Sequence, residues 1–265
     1  MKKDQAPTTY LLNYITTLGG TLESVFNLVA ARGQLTLEQC QQQADFRREK
    51  SERDHVKDAL NFLHTCGLVT REDGAYRTEE KPAEGVAFHL LLVQAIRRAP
   101  EHQADFMKIY DLLVRQGHVS LSDDDLITIM NRTEFTTPGE ADLNLNKAAW
   151  WLRTSHHLGI IRKLQRSKQF LVMPEATLVL ELMARAGADR QQISLMDWLK
   201  YTETECFAAV TAEGKLHPGL ASVVAELAAR GLIKLGIKDD VQSVSLGPGL
   251  SATHVMLVKE EAADA

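Results

Sequence analysis

Apolar residues recur at helical spacing along most of this chain, and run after run stops at a glycine. Val25, Leu28 and Val29 share one helix face up to Gly33, and Val56, Ala59, Leu60 and Leu63 share another up to Gly67. Beyond Gly67 the period changes. Leu68-Val69-Thr70-Arg71, Asp73-Gly74 and Ala75-Tyr76-Arg77-Thr78 predict strand, two-residue turn and strand. Thr36 with Gln39 three residues on forms a capping box that opens a short helix to about Phe46. A helix is expected near Thr8–Leu18, stopped by Gly19-Gly20, with Thr21 capping the next.

The pattern repeats. Phe26 through Leu37 and Tyr110 through Leu121 place an aromatic, an apolar pair, a glycine, an apolar residue and a hydroxyl in register, 84 residues apart. Leu60–Val69, Leu152–Ile161 and Val224–Ile233 each read as an apolar helix end, a glycine and two apolar residues. In the second copy a helix from Glu101 to Gln116 precedes a short helix marked by Ser122 and Asp125. The interval from Gly117 to Gly159 is longer than that from Gly33 to Gly67, and the surplus falls in a turn-rich loop spanning 131–146. Pro174 closes the second hairpin, and Ala176–Ala186 predicts a connecting helix. The third copy keeps helix Gly219–Arg230, Gly231, strand Leu232–Lys238, turn Asp239-Asp240 and strand Val241–Leu246, while its first half, through Trp198 and Phe207, does not resolve into two helices.

The fold class expected is mainly α with small β-hairpins. Helix, short helix, longer helix and hairpin is the order of a winged helix-turn-helix, so two to three tandem winged-helix domains are expected. The boundaries are 1–82, 83–190 with the long loop, and 191–265 with a short acidic tail, Lys81–Gly85 serving as linker. In this pattern the chain resembles the tandem winged-helix proteins of prokaryotes over residues 20–174 and more loosely over 192–258. The resemblance implies a binding role.

Composition agrees. A chain of 265 residues with 45% hydrophobic and 25% charged residues suits several small globular domains. The longest apolar run, Val86–Ile96, falls short of the roughly 20 residues that span a bilayer. The start, Met1-Lys2-Lys3-Asp4-Gln5, is followed by no apolar signal core, so a cytoplasmic protein with no membrane partner is expected. Cys40, Cys66 and Cys206 are widely spaced, which favours reduced, buried thiols over a disulfide or zinc framework. A net charge of −5 rules out wholesale coating of nucleic acid. Between Asp142 and Glu175, however, there is no acidic residue, while Lys147, Arg153, Arg162, Lys163, Arg166 and Lys168 are all basic.

Catalytic signatures are absent: no phosphate-binding glycine loop, zinc-protease helix or nucleophile elbow occurs. His64 and Cys66, two apart, do not share a helix face. Asp123-Asp124-Asp125 suits the first turn of a helix, where carboxylates meet unsatisfied amides. His156-His157 would need further ligands from elsewhere in the chain, so a polar helix surface is expected there. No enzyme activity, catalytic residue, metal or cofactor is expected.

Aligning the copies on their helix-ending glycines gives the core positions: Val56, Ala59 and Leu60; Ala148, Trp151 and Leu152; Leu220, Val223 and Val224. Trp150 matches Asp58 and Ser222, polar positions, so it is expected to face outward in a row with Asn146, Arg153 and His157. In a DNA-binding winged helix this helix enters the major groove and the hairpin touches the backbone. Arg153 and Asn146 are therefore candidate base readers, and Arg162, Lys163, Arg166 and Lys168 candidate phosphate contacts, with Lys147, Trp150 and His157 completing the interface. The expected function is a non-enzymatic DNA-associated protein, a regulator or a subunit of a DNA-processing or anti-phage defence complex, with double-stranded DNA as partner. The alternative is an architectural subunit similar to the tandem winged-helix partners of kleisins in SMC complexes, meeting a protein partner or a second copy through the third domain and Trp150.

Overall fold

The computed structural model describes residues 19–43, 52–99, 105–132, 145–164 and 167–258. Helices predominate over short antiparallel strands. The expected helix at 8–18, most of the 131–146 loop, Arg166 and the acidic tail lie outside the described residues.

The chain packs as two compact units, residues 1–109 with 123–158, and residues 110–122 with 159–265. In this partition segment 123–158 packs with the N-terminal portion.

In the first unit, α1 (Gly19–Arg32), β1 (Gln34–Thr36), α2 (Leu37–Gln43), α3 (Glu52–Thr65), β2 (Thr70–Glu72) and β3 (Ala75–Arg77) follow one another. The strands form one sheet in the order β1-β3-β2. Gly19, Gly20 and Thr21 are helical, so α1 is not capped at Thr21 as expected. Glycine merely weakens a helix interior. The capping box is formed: Gln39 Oε1 accepts from the Thr36 amide at 2.8 Å and Thr36 Oγ1 from the Gln39 amide at 3.2 Å. The β2–β3 turn has Asp73 at φ 49° and Gly74 at φ 79°, the two positive values that a right-twisted two-residue hairpin requires. Four helices complete this unit: α4 (Val86–Arg98), the start of α5 (Asp105–Arg115), α6 (Asp123–Arg132) and α7 (Leu145–His157). The expected linker is fastened to α1, since the Asn27 carboxamide both donates to and accepts from Ala83 of the main chain, at 2.9 and 2.8 Å.

In the second unit, β4 (Ser120–Ser122), β5 (Arg162–Lys163) and β6 (Gln169–Leu171) form a sheet in the order β4-β6-β5. Then come α8 (Ala176–Arg185), β7 (Ile193–Ser194), α9 (Leu195–Glu205), α10 (Pro218–Ala229), β8 (Ile233–Gly236), β9 (Val244–Gly247), β10 (Leu250–Ala252) and β11 (His254–Leu257). The first half of the third copy is thus one strand and one helix, with Ser194 Oγ capping α9. β8 pairs with β11, in a sheet ordered β7-β11-β8, while β9 pairs with β10. The segment expected to be the return strand is therefore a separate ribbon, which places Val244 and Leu246 in the core with Val223 and Leu227. Helix, strand, helix, helix, strand, strand occurs three times in chain order, and each three-stranded sheet places its last strand in the middle.

Gly33, Gly67, Gly117, Gly159 and Gly231 all have φ between 70° and 81°. At Gly67 the following amide of Leu68 donates to the Leu63 carbonyl at 2.9 Å, and Gly67 donates to His64 at 3.1 Å, a Schellman ending. A side chain at Gly67 would meet no atom within 4 Å, so the cost of Gly67→Ala is conformational alone. About 1 kcal/mol of lost stability is expected in urea unfolding, with Gly67→Asn losing less.

His217 caps α10. Its Nδ1 accepts from the Gly219 amide at 3.2 Å, so Nε2 carries the proton and donates to the His118 carbonyl at 2.9 Å. Burial holds the imidazole pKa below its usual value, against the pull of the His118 carbonyl. The folded state thus keeps His217 neutral while the unfolded chain protonates first. Its stability contribution is present above about pH 6.5 and is lost as pH falls through the lower folded value. His217→Asn should flatten part of the fall in melting temperature between about pH 7 and pH 5, measured by circular dichroism.

Candidate nucleic-acid interface

Helix α7 carries the expected reading row. Leu145, Asn146, Ala149, Arg153 and His156 are exposed, whereas Ala148, Trp150, Trp151, Thr154 and Ser155 are buried. Asn146 and Arg153 therefore stand at the surface as expected, and Lys147 is half-buried. Trp150 does not. It is 0% exposed, edge-on to Phe62 of α3 and Phe106 of α5 with ring centroids 6.0 and 5.6 Å away. Trp151 is equally buried, and its indole N–H donates to the Phe106 carbonyl at 2.9 Å.

The correction has a simple geometric cause. At 3.6 residues per turn, Asn146, Trp150, Arg153 and His157 fall within an arc of about 60°. That arc straddles the edge of the buried face. Asn146 and Arg153 lie on the wet side, and Trp150 lies on the dry side because Phe62 and Phe106 cover a second flank of α7. The repeat could not reveal this, since Ser222 is exposed and Asp58 only half-buried. As a core side chain Trp150 is removed from the set of surface contacts.

His157 also turns inward. It is half-buried at the end of α7, its ring edge-on to His89 of α4 with centroids 4.5 Å apart. Glu23 of α1 joins them: one ligand atom from each of Glu23, His89 and His157 lies within 4.8 Å of the others. Burial lowers the pKa of both imidazoles; Glu23 pulls each the other way, while His157 lowers that of His89 further and His156 that of His157. His157 Nε2 is buried with no hydrogen-bond partner among the described residues. Sequence reasoning missed this convergence, though it noted His157, because its other members stand on different helices.

The hairpin group is divided. Lys163 and Lys168 are exposed. Arg162 is half-buried and committed: it donates to the Pro174 carbonyl at 3.0 Å and stands 3.8 Å from a Glu226 carboxylate oxygen. Its neighbour Glu226 also pairs with Arg230 at 3.2 Å. A phosphate contact by Arg162 would have to compete with these partners. Arg166 lies outside the described residues.

The three cysteines are buried and form no disulfide among the described residues. Burial pushes the Cys40 thiol up to about 11 and Cys66 to about 12, which keeps both as unreactive thiols at neutral pH. His64 Nδ1 lies 3.0 Å from the Val69 carbonyl, and the Cys66 thiol points at the Leu63 carbonyl, so the two do not act together.

No family model matches this chain, and no curated protein matches it. Among solved structures, the magnesium ion-bound crystal structure of SspB is similar at a TM-score of 0.44 and 10% identity, over 94% of this chain and 83% of that one. A likeness of that size carries no argument. Among the described residues, no helix is long and apolar enough to cross a membrane.

Truncating either indole empties a packed site. Trp150→Ala and Trp151→Ala should each cost about 3–5 kcal/mol in chemical denaturation. A near-neutral Trp150→Ala would mean that the ring stands in water.

Proposed function

We propose that this chain is a non-enzymatic, cytoplasmic DNA-associated protein built from tandem winged-helix units, acting as a regulator or as a subunit of a DNA-processing or anti-phage defence complex. The observation that carries the reading is the surface of the acid-free stretch: Asn146 and Arg153 exposed on α7, and Lys163 and Lys168 exposed on the following hairpin. Support also comes from the threefold recurrence of helix, strand, helix, helix, strand, strand, and from the repeated sheet order with the last strand in the middle. In such a unit the last long helix reads base edges and the hairpin grips phosphates.

A second reading draws on a different surface. Ile237, Val241 and Leu250, in the third copy, are 68%, 40% and 36% exposed, and the whole chain carries −5. Exposed apolar groups on an acidic protein suit an architectural subunit that docks on protein, as the kleisin-binding tandem winged-helix partners of SMC complexes do. The burial of Trp150 withdraws one support from that alternative.

Salt dependence separates the two. Removing one phosphate-gripping cation should reduce the slope of log affinity against log salt by roughly 0.9. Anisotropy titrations with duplex DNA should show Lys163→Glu with Lys168→Glu flattening that slope and weakening all sequences alike. Arg153→Ala should instead cost about 1–3 kcal/mol on a preferred site and little on random DNA. No duplex affinity at low salt would reject DNA binding and favour the architectural role.

A further inference from the structure

Three helices of the first unit each bring one metal-ligating side chain to a common point: Glu23 from α1, His89 from α4 and His157 from α7. We propose that these three residues bind a first-row divalent cation of imidazole preference, Zn2+ foremost, as a tie between the helices. Two imidazoles and one carboxylate are a donor set suited to zinc, with a fourth position left for water. Mg2+ and Ca2+ prefer all-oxygen surroundings and are not served by it.

The surroundings are built for such an ion. The Gly85 amide donates to Glu23 Oε1 at 2.6 Å, which orients the carboxylate as a supporting hydrogen bond does in zinc centres. Gly85 lies just before α4, and its carbonyl accepts from the His89 amide at 2.9 Å, so one residue positions two of the ligands. The Asn27 clasp on Ala83 and the Phe26–Phe88 contact, 5.4 Å between centroids, hold α1 against the start of α4. His157 Nε2 is buried without a hydrogen-bond partner among the described residues, a costly state for a polar nitrogen and one that a metal bond would relieve. Gly19 completes the space. A Cβ built there would overlap the His157 ring, so the closeness of imidazole to α1 depends on the absence of a side chain at that position.

The test uses the full chain, freed of metal by chelator, with Zn2+ as the probe. Titration against a chromophoric chelator should give one tight Zn2+ per chain, and Zn2+ should raise the melting temperature. Glu23→Gln, His89→Ala and His157→Ala should each weaken Zn2+ by more than roughly 10–100-fold, the loss that even supporting residues produce. His156→Ala, adjacent but exposed, should leave affinity unchanged. Gly19→Ala should abolish tight binding although alanine favours a helix, an outcome that general destabilisation would not give. Should a histidine variant fail to fold, Glu23→Gln carries the test, since it keeps the acceptor for Gly85 and removes only the charge. Co2+ substitution should give visible bands with intensities of a four-coordinate site, lost in the same variants. Binding below one ion per chain, binding indifferent to Glu23→Gln and Gly19→Ala, or Mg2+ competing on equal terms would each overturn the proposal.

Discussion

Most of this structure depends on a helix being able to stop within one residue and send the chain back beneath itself. A right-handed helix continued past Gly67 would carry Leu68 and Val69 away from the core. With Gly67 left-handed, both are buried, at 6% and 1% exposure. Gly231 does the same for Ile233, and Gly159 is followed by the buried pair Ile160 and Ile161. The reversal satisfies two helix carbonyls through Schellman bonds and delivers the chain to the first strand of a hairpin. Helix length, hairpin position and core composition are thereby linked. This is why a glycine recurs where little else in the three copies is identical.

Such local devices are legible in the sequence because each needs only its neighbours. The Thr36–Gln39 box, the Asp73-Gly74 turn and the three aspartates opening α6 all form where their spacing places them. What the sequence conceals is the second neighbour of an element. Trp150 sits at an edge between wet and dry, and its burial is decided by Phe62 and Phe106, far away in the chain. The β9–β10 ribbon is concealed for a related reason. Strand Val244–Gly247 alternates as a return strand should, yet β8 takes β11, which Thr253 secures by donating its amide and hydroxyl to the Gly236 carbonyl at 2.8 and 3.1 Å.

The candidate chemistry divides along the same line. A run of cations without acids is a property of one segment and can be read directly. A site assembled from Glu23, His89 and His157 is invisible until three helices are placed, because each residue alone resembles an ordinary surface group. The one hint lay in spacing: Trp150 and His157 stand seven apart, hence almost on one line of α7. Whatever buries the indole also draws the imidazole inward.

That shared line gives the two proposals a physical connection inside the first unit. The rotation of α7 about its axis decides whether Asn146 and Arg153 face solvent. At the middle of the helix the rotation is fixed by Trp150 against two phenyl rings, and at its end by His157 against Glu23, His89 and the bare backbone of Gly19. Edge-on aromatic contacts are worth only about 0.5–1.5 kcal/mol beyond burial and tolerate sliding. A coordinate bond does not slide. An ion held by His157 would pin the last turn of α7 to α1 and α4, and so hold Arg153, four residues earlier and one turn away, at a defined orientation. The metal would then serve as a positioning element for the face of α7 that carries Asn146 and Arg153, the face to which nucleic-acid contact is proposed.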